Sequence, residues 1–328
     1  MSLRLGMIGA GWIAREHVAS ISALPDAELA AVADLDAARA GELAAGEGAR
    51  AYADWGEMLA AETLDAVVVC TPPMAHRDPC LAAVERGLAV YLEKPVARTS
   101  GDARAIADAV RAAGAVVAVG YQYRAIDFLP DLRAAAGDQP GMLASYSVGA
   151  TAGRPWFVTQ AEGGGQVLER ASHHIDLQCA IAGPVDWVQA AGARIDLAGA
   201  DRPAGSDIDD VIALSLGFRS GALGTVLCAW TSPELPSSYT LDVVSARSSV
   251  HVELDPGFTA TGTRGGEEVA LGLSMAPIRR GMERFLEAAR TGDPAGVACD
   301  VDAAAESLDV ALACERALAD GGRVAVPG

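Results

Sequence analysis

The sequence has no C-x-x-C pair, no internal repeat, and no apolar run near the roughly 18 residues that crossing a bilayer takes. Its six cysteines, Cys70, Cys80, Cys179, Cys228, Cys299 and Cys314, are scattered through mostly apolar surroundings. That excludes zinc-ligand spacing and suits free thiols in a reducing cytosol, so no metal is expected. Positive charge is scarce: 25 Lys and Arg against 43 Asp and Glu leave a net charge of −18. The resulting field repels nucleic acid and anionic membrane surfaces, and neither is an expected partner. The N-terminus reads directly as a strand, so neither signal peptide nor anchor is expected, and the expected location is cytoplasmic. What is present is an ordinary globular composition, 51% hydrophobic and 21% charged, over 328 residues. A chain of that length exceeds what one core usually serves, which points to two domains.

Over the first 120 or so residues, short β-rich runs alternate with Ala-rich amphipathic segments, the rhythm of βαβ units around a parallel sheet. Strands read at 3–8, 28–33, 66–70, 89–92 and 116–119, and helices at 13–24, 37–45, 79–86 and 101–113. After Arg124 the rhythm changes to a helix at 128–136, a strand at 142–148, a Gly-rich turn and a helix at 166–181. Strands then dominate at 185–195, 210–218, 221–230, 239–244 and 250–254, which reads as an antiparallel meander. Helices at 277–290 and 301–318 and a strand at 323–326 close the chain. The expected fold class is α/β: a doubly wound Rossmann domain over residues 1–122, then an α+β domain over 123–328 with a large, mainly antiparallel open sheet.

Gly9-Ala10-Gly11-Trp12-Ile13-Ala14 follows the first strand and opens a helix, where a G-x-G-x-x-G/A loop binds a dinucleotide. Gly9 permits the tight turn, Gly11 lets the backbone approach the pyrophosphate, and small Ala14 allows close helix packing. Asp34 ends the second strand, about 20 residues beyond the motif, where a carboxylate accepts hydrogen bonds from ribose hydroxyls. It also suits a helix cap. Its charge repels a 2′-phosphate, so NAD is the expected cofactor and NADP the less favoured one.

Further motifs follow in order: Cys70-Thr71-Pro72-Pro73-Met74-Ala75-His76, Glu93-Lys94-Pro95, Gly120-Tyr121-Gln122-Tyr123-Arg124, and Gly163-Gly164-Gly165 ahead of Glu169, His173 and Asp176. Together they resemble the Gfo/Idh/MocA oxidoreductases, named for glucose-fructose oxidoreductase and inositol dehydrogenase, over essentially the whole chain. The resemblance implies an enzyme that exchanges hydride between a nicotinamide and a carbinol or carbonyl carbon of a sugar or cyclitol. It implies cofactor contacts from Gly9, Gly11, Trp12, Ile13, Asp34, Thr71, Pro72, His76, Glu93, Lys94 and Gln122, with Trp156 brought in from the second domain. Lys94 and His173 act at the reacting oxygen, with Arg124 and Asp176 also on the substrate. The family pattern usually carries Asp where this chain has Glu169.

Glu169 and His173 stand four apart on one expected helix, with Asp176 three further on, so all three share roughly one face. An imidazole trades a proton near neutral pH, and a neighbouring carboxylate can orient it. A solvated charged face is the bland alternative. His174 points about a quarter turn away, and His17 and His251 read as structural. Phosphosugars are less favoured because no cluster of basic residues is seen, although a fold can gather isolated residues such as Arg124 and Arg154. In the expected mechanism, His173 takes the hydroxyl proton, Glu169 orients it, and Lys94 stabilises charge on oxygen in a cleft between the domains. Two rival functions share these motifs: a glycoside hydrolase or lyase using transient oxidation, and a non-catalytic NAD-binding regulator. A homodimer or homotetramer is expected through the open face of the second sheet, with Val226 and Trp230 on that face.

Overall fold

Short β-branched runs and Ala-rich helices wind into a parallel sheet in the first part of the structure, a computed structural model describing residues 2–137, 140–150, 155–195 and 204–327. Its strands are β1 (Leu3–Ile8), β2 (Ala27–Ala33), β3 (Arg50–Tyr52), β4 (Ala66–Val69), β5 (Ala89–Leu92) and β6 (Val117–Val119). They lie in the order β3-β2-β1-β4-β5-β6 with every neighbouring pair parallel. This is the doubly wound dinucleotide-binding order, and its direction reverses between β1 and β4. The connecting helices are α1 (Trp12–Ser22), α2 (Ala37–Glu47), α3 (Trp55–Ala61), α4 (Arg77–Glu85) and α5 (Ser100–Ala113). The expectation missed β3 and α3. β3 is a three-residue, mostly exposed edge with no apolar pattern, and α3 is only seven residues, started by the Asp54 carboxylate accepting from the Glu57 amide at 2.9 Å.

A second sheet runs β14-β13-β12-β11-β7-β10-β9-β8-β15. Its strands are β7 (Pro140–Ala150), β8 (Val185–Ala193), β9 (Val211–Phe218), β10 (Leu223–Thr231), β11 (Ser238–Ser245), β12 (Ser248–Asp255), β13 (Thr259–Arg264), β14 (Glu267–Gly272) and β15 (Arg323–Ala325). Only β7 and β10 pair in parallel. The hairpin of β13 and β14 was not foreseen, because its Thr, Gly and Glu residues carry no apolar alternation. Helices α6 (Leu129–Ala136), α7 (Gln160–Gly163) and α8 (Ser172–Ala182) belong to this part, with α6 and α8 packed on one face of the sheet.

The residues of β10 alternate between its two faces, and the expectation chose the wrong set. Val226 and Trp230 are 0% and 2% exposed, on the covered face, whereas Leu223 and Leu227 are 54% and 41% exposed. Leu223 sits beside Met142 and Leu227 beside Tyr146 in the parallel register, and both neighbours are exposed too. A one-residue step exchanges the faces of a strand, so side-chain character alone does not decide which set points outward.

The last helices are α9 (Pro277–Thr291) and α10 (Val301–Asp320). The chain divides into two compact units, Met1–Ala125 with Met275–Ala305, and Ile126–Ser274 with Glu306–Gly328. The domain expected over 123–328 is thus interrupted. Met282, Phe285 and Leu286 of α9 recur at helical spacing and join the core formed by Leu5, Met7, Val18, Val68 and Tyr91. The Phe285 ring meets Tyr91 edge-on at 5.5 Å. An amphipathic helix must bury its stripe, but its sequence does not say against which sheet.

Candidate active site

The loops at the carboxyl ends of β1, β2, β4, β5 and β6 hold the candidate residues of the first unit. Gly9 has φ +96°, and a Cβ there would meet the Cys70 carbonyl oxygen at 2.7 Å, so the turn between β1 and α1 closes against the end of β4 only with glycine. Gly11 is the N-cap of α1 and supplies no side-chain cap, and no acidic residue stands in the first turn. A Cβ built on Gly11 would meet nothing within 4 Å. No side chain caps this eleven-residue helix, and the space beside Gly11 is open, which fits the pyrophosphate of a dinucleotide at the helix N-terminus. Ala14 is fully buried on the sheet, as expected. Trp12 is exposed, and Ile13, half-buried, packs against the core.

Asp34 bridges the loops after β1 and β2. One carboxylate oxygen accepts from the Ala10 amide at 2.7 Å. The other accepts from the Asp36 amide at 2.8 Å and from the Arg39 guanidinium at 2.9 Å. The helix-capping role falls instead to Asp36, which accepts from the Ala38 and Arg39 amides at the start of α2. A carboxylate oxygen takes about two hydrogen bonds, so the oxygen facing Ala10 retains a lone pair for a ribose hydroxyl.

The Glu-Lys-Pro segment follows β5. Glu93 turns inward: its Oε1 lies 2.6 Å from His17 Nε2 on α1, and its Oε2 accepts from the Lys94 amide at 3.0 Å. Burial pushes the Glu93 carboxyl up, but the hydrogen bond and charge of His17, with Lys94, outweigh burial and leave it below its usual value. A Cβ on Gly120 would meet Glu93 Oε1 at 2.9 Å, so the residue after β6 makes room for this carboxylate. The Glu93 carboxylate thus fixes the turn that carries Lys94. His17, expected to be structural, is the buried partner.

Lys94 itself is half-buried, and it is the only lysine in the chain. Its singularity, against a background in which every other basic side chain bar histidine is Arg, is a signal the motif reading did not use. His76 is also buried, with Nδ1 3.0 Å from the Pro95 carbonyl oxygen and Nε2 2.8 Å from that of Thr71. Burial lowers its pKa, while the carbonyls and Glu93 pull the other way. His76 thus clamps the β4 and β5 loops together. Thr71 caps the short turn after β4 by donating to the Ala75 carbonyl at 3.2 Å, and Pro72 precedes that turn, half-buried. Gln122 and Arg124, both half-buried, lie on a short 3-10 turn after β6.

In the second unit, the helix expected over 166–181 is two segments. Val167–Ala171 forms a π turn and α8 begins at Ser172. The wider π turn shifts the angular relation that four-residue spacing has on an α-helix, and such turns are frequent at functional sites. Glu169, in the π turn, and His173, in the first turn of α8, are both half-buried. Asp176 is fully buried, and its Oδ1 accepts from Ser307 Oγ of α10 at 2.8 Å, a tie between two helices. His174 is fully buried and stacks on Tyr239 at 5.9 Å; burial and then the Arg170 charge push its pKa down to about 3. Arg170, which the sequence reading passed over, donates to the carbonyls of Gly149, Ala229 and Ala150 at 3.1, 2.8 and 3.0 Å and lies over the Trp230 and Tyr239 rings. Trp156 is half-buried, edge-on to Phe157 at 5.1 Å. Arg154 lies outside the described residues.

Among the described residues, no group of three His, Cys, Asp or Glu side chains is placed to hold a metal ion, and no helix is long and apolar enough to cross a membrane. The oxidoreductase family with an NAD-binding Rossmann fold matches residues 3–121, and the GFO/IDH/MocA C-terminal domain matches residues 138–266. An inositol 2-dehydrogenase 3 of Saccharopolyspora erythraea is 37% identical over 38% of this chain, an alignment that spans 37% of that relative's length. Inositol 2-dehydrogenase 4 of the same organism is 30% identical over 95% of this chain and 93% of its own. In fold, the chain is similar to an oxidoreductase domain protein from Kribbella flavida, with a TM-score of 0.88 at 19% identity, all of both chains being covered.

Proposed function

The chain belongs to the GFO/IDH/MocA oxidoreductase family, with an NAD-binding Rossmann fold, and from that membership we propose an NAD-dependent dehydrogenase acting on a CH–OH carbon of a sugar or cyclitol. The observation that carries this reading is the cradle at the β1 to α1 turn. There the N-terminus of α1, which no side chain caps, the open position at Gly11 and the Asp34 carboxylate meet at the point where the strand order reverses. Two inositol dehydrogenases among the similar proteins support a cyclitol-like substrate.

The bound nicotinamide supplies the hydride chemistry. The chain's own groups do the rest. The positive end of α1 holds the pyrophosphate, and Asp34 accepts from the adenosine ribose. Lys94, on a turn locked by Glu93 and His76, stabilises negative charge developing on the substrate oxygen. His173 takes the hydroxyl proton and Glu169 orients it, and Arg124 contacts the substrate. We also propose a cytoplasmic homo-oligomer assembled on the sheet face that carries Met142, Tyr146, Leu223 and Leu227.

The test is a turnover screen with NAD across cyclitols and aldoses, followed by K94A and H173A on the best substrate. Each variant is expected to lose about 10²- to 10⁴-fold in turnover, the usual contribution of one acid-base group, while still binding NADH. Variants that fold, bind NADH and turn over like the wild type would overturn the assignment of Lys94 and His173.

A further inference from the structure

Asp34 is the residue on which the preference for NAD rests, yet it is not a bare carboxylate. Arg39, five residues on in the first turn of α2, places Nη2 2.9 Å from Asp34 Oδ1 and Nε 3.3 Å from Asp36 Oδ2, with its side chain 53% exposed. We propose that Arg39 makes the adenosine 2′ position of this site tolerant of a phosphate, so that the chain binds NADP as well as NAD. The proposal rests on the reading of the β1 to α1 turn as a dinucleotide cradle and adds a specificity-determining residue to it.

Three features carry it. The Asp34 charge is shared with two backbone amides that remain when Arg39 moves, so its field at the ribose is weaker than that of a free carboxylate. An ion pair as exposed as that of Arg39 exchanges partners at little cost. The exchange strands nothing, because Asp34 keeps the Ala10 and Asp36 amides when the guanidinium leaves, and the fork of Arg suits a phosphate better than a single carboxylate oxygen. The opposing term is Asp36, half exposed beside Arg39, which competes with the phosphate for the same cation. It keeps NAD the tighter ligand.

The proposal is tested by fluorescence titration of NADH and NADPH into the wild-type chain, R39A and R39K, with competition by 5′-AMP and by adenosine 2′,5′-bisphosphate. None of these readouts needs turnover. The wild type is expected to bind NADPH within roughly tenfold of NADH. R39A should widen that gap by a further tenfold or more, the worth of one hydrogen bond to a charged group. R39K, which keeps the charge and loses the fork, should fall between. Added salt should weaken NADPH more than NADH, since the Arg39 contact is exposed. A wild type that binds NADH but rejects NADPH by more than a hundredfold, or a ratio indifferent to R39A, overturns the proposal and leaves the NAD site standing. Failure to bind either nucleotide overturns the cradle reading with it.

Discussion

His17 shows how far a side chain can act from the chemistry it serves. With Glu93 it forms a buried pair at 2.6 Å, and Glu93 in turn holds the Lys94 amide. Removing one member of a buried pair leaves an uncompensated charge and costs about 3–5 kcal/mol. H17A is therefore expected to lower stability by that order in urea unfolding. The milder H17Q, which keeps a hydrogen-bond donor, should fold and lower turnover through Lys94 more than it raises KM. If H17Q leaves turnover untouched, the pair is structural only. At this scale the sequence was legible where a motif dictates backbone geometry, as at Gly9. It was opaque where a polar residue can face either way. Glu93, His76 and Asp176 have the chemistry of ligand contacts, and only the fold shows each turned onto a neighbouring loop or helix.

Elements were legible in proportion to their burial. The four-residue strands β4 and β5 are fully buried and were found to within a residue, because a wholly apolar run between helical segments has few other readings. The π turn before α8 left no mark in the spacing of Glu169 and His173, since it inserts width without changing residue type. The return of α9 to the first unit was equally hidden. It makes a prediction: F285A, removing a fully buried ring that meets Tyr91, should destabilise the first unit by about 3–5 kcal/mol and weaken NADH binding along with it. Proteolysis in the presence and absence of NADH reads both effects. Loss of stability in the second sheet alone would contradict the placement of α9.

Across the whole molecule, acid and association both probe the account. Burial pushes the His174 imidazole down to about 3, from about 6.5 for a solvated one, so the unfolded chain binds the extra proton between those values. The His174 contribution is complete above pH 6.5 and is lost as pH falls toward 3, at up to about 1.4 kcal/mol per pH unit. H174F should flatten the dependence of the urea midpoint across that window; an unchanged slope would show that His174 is not buried neutral. For association, the exposed row of Met142, Tyr146, Leu223 and Leu227 is the face proposed to be covered by a second copy of the chain. L223D with L227D should yield a folded monomer in light scattering, and an unaltered mass would exclude this face.

The central claim is that hydride leaves the substrate carbon and stays on the nicotinamide. It is tested most directly by mass spectrometry of the cofactor after turnover of a cyclitol or aldose deuterated at its carbinol carbons, the substrate being the one the screen selects. The account predicts one deuterium in the reduced cofactor for each ketone formed, and a rate lowered by about 10²- to 10⁴-fold in K94A. Product formed without deuterated reduced cofactor, with the isotope returned to a cleaved sugar, would contradict it.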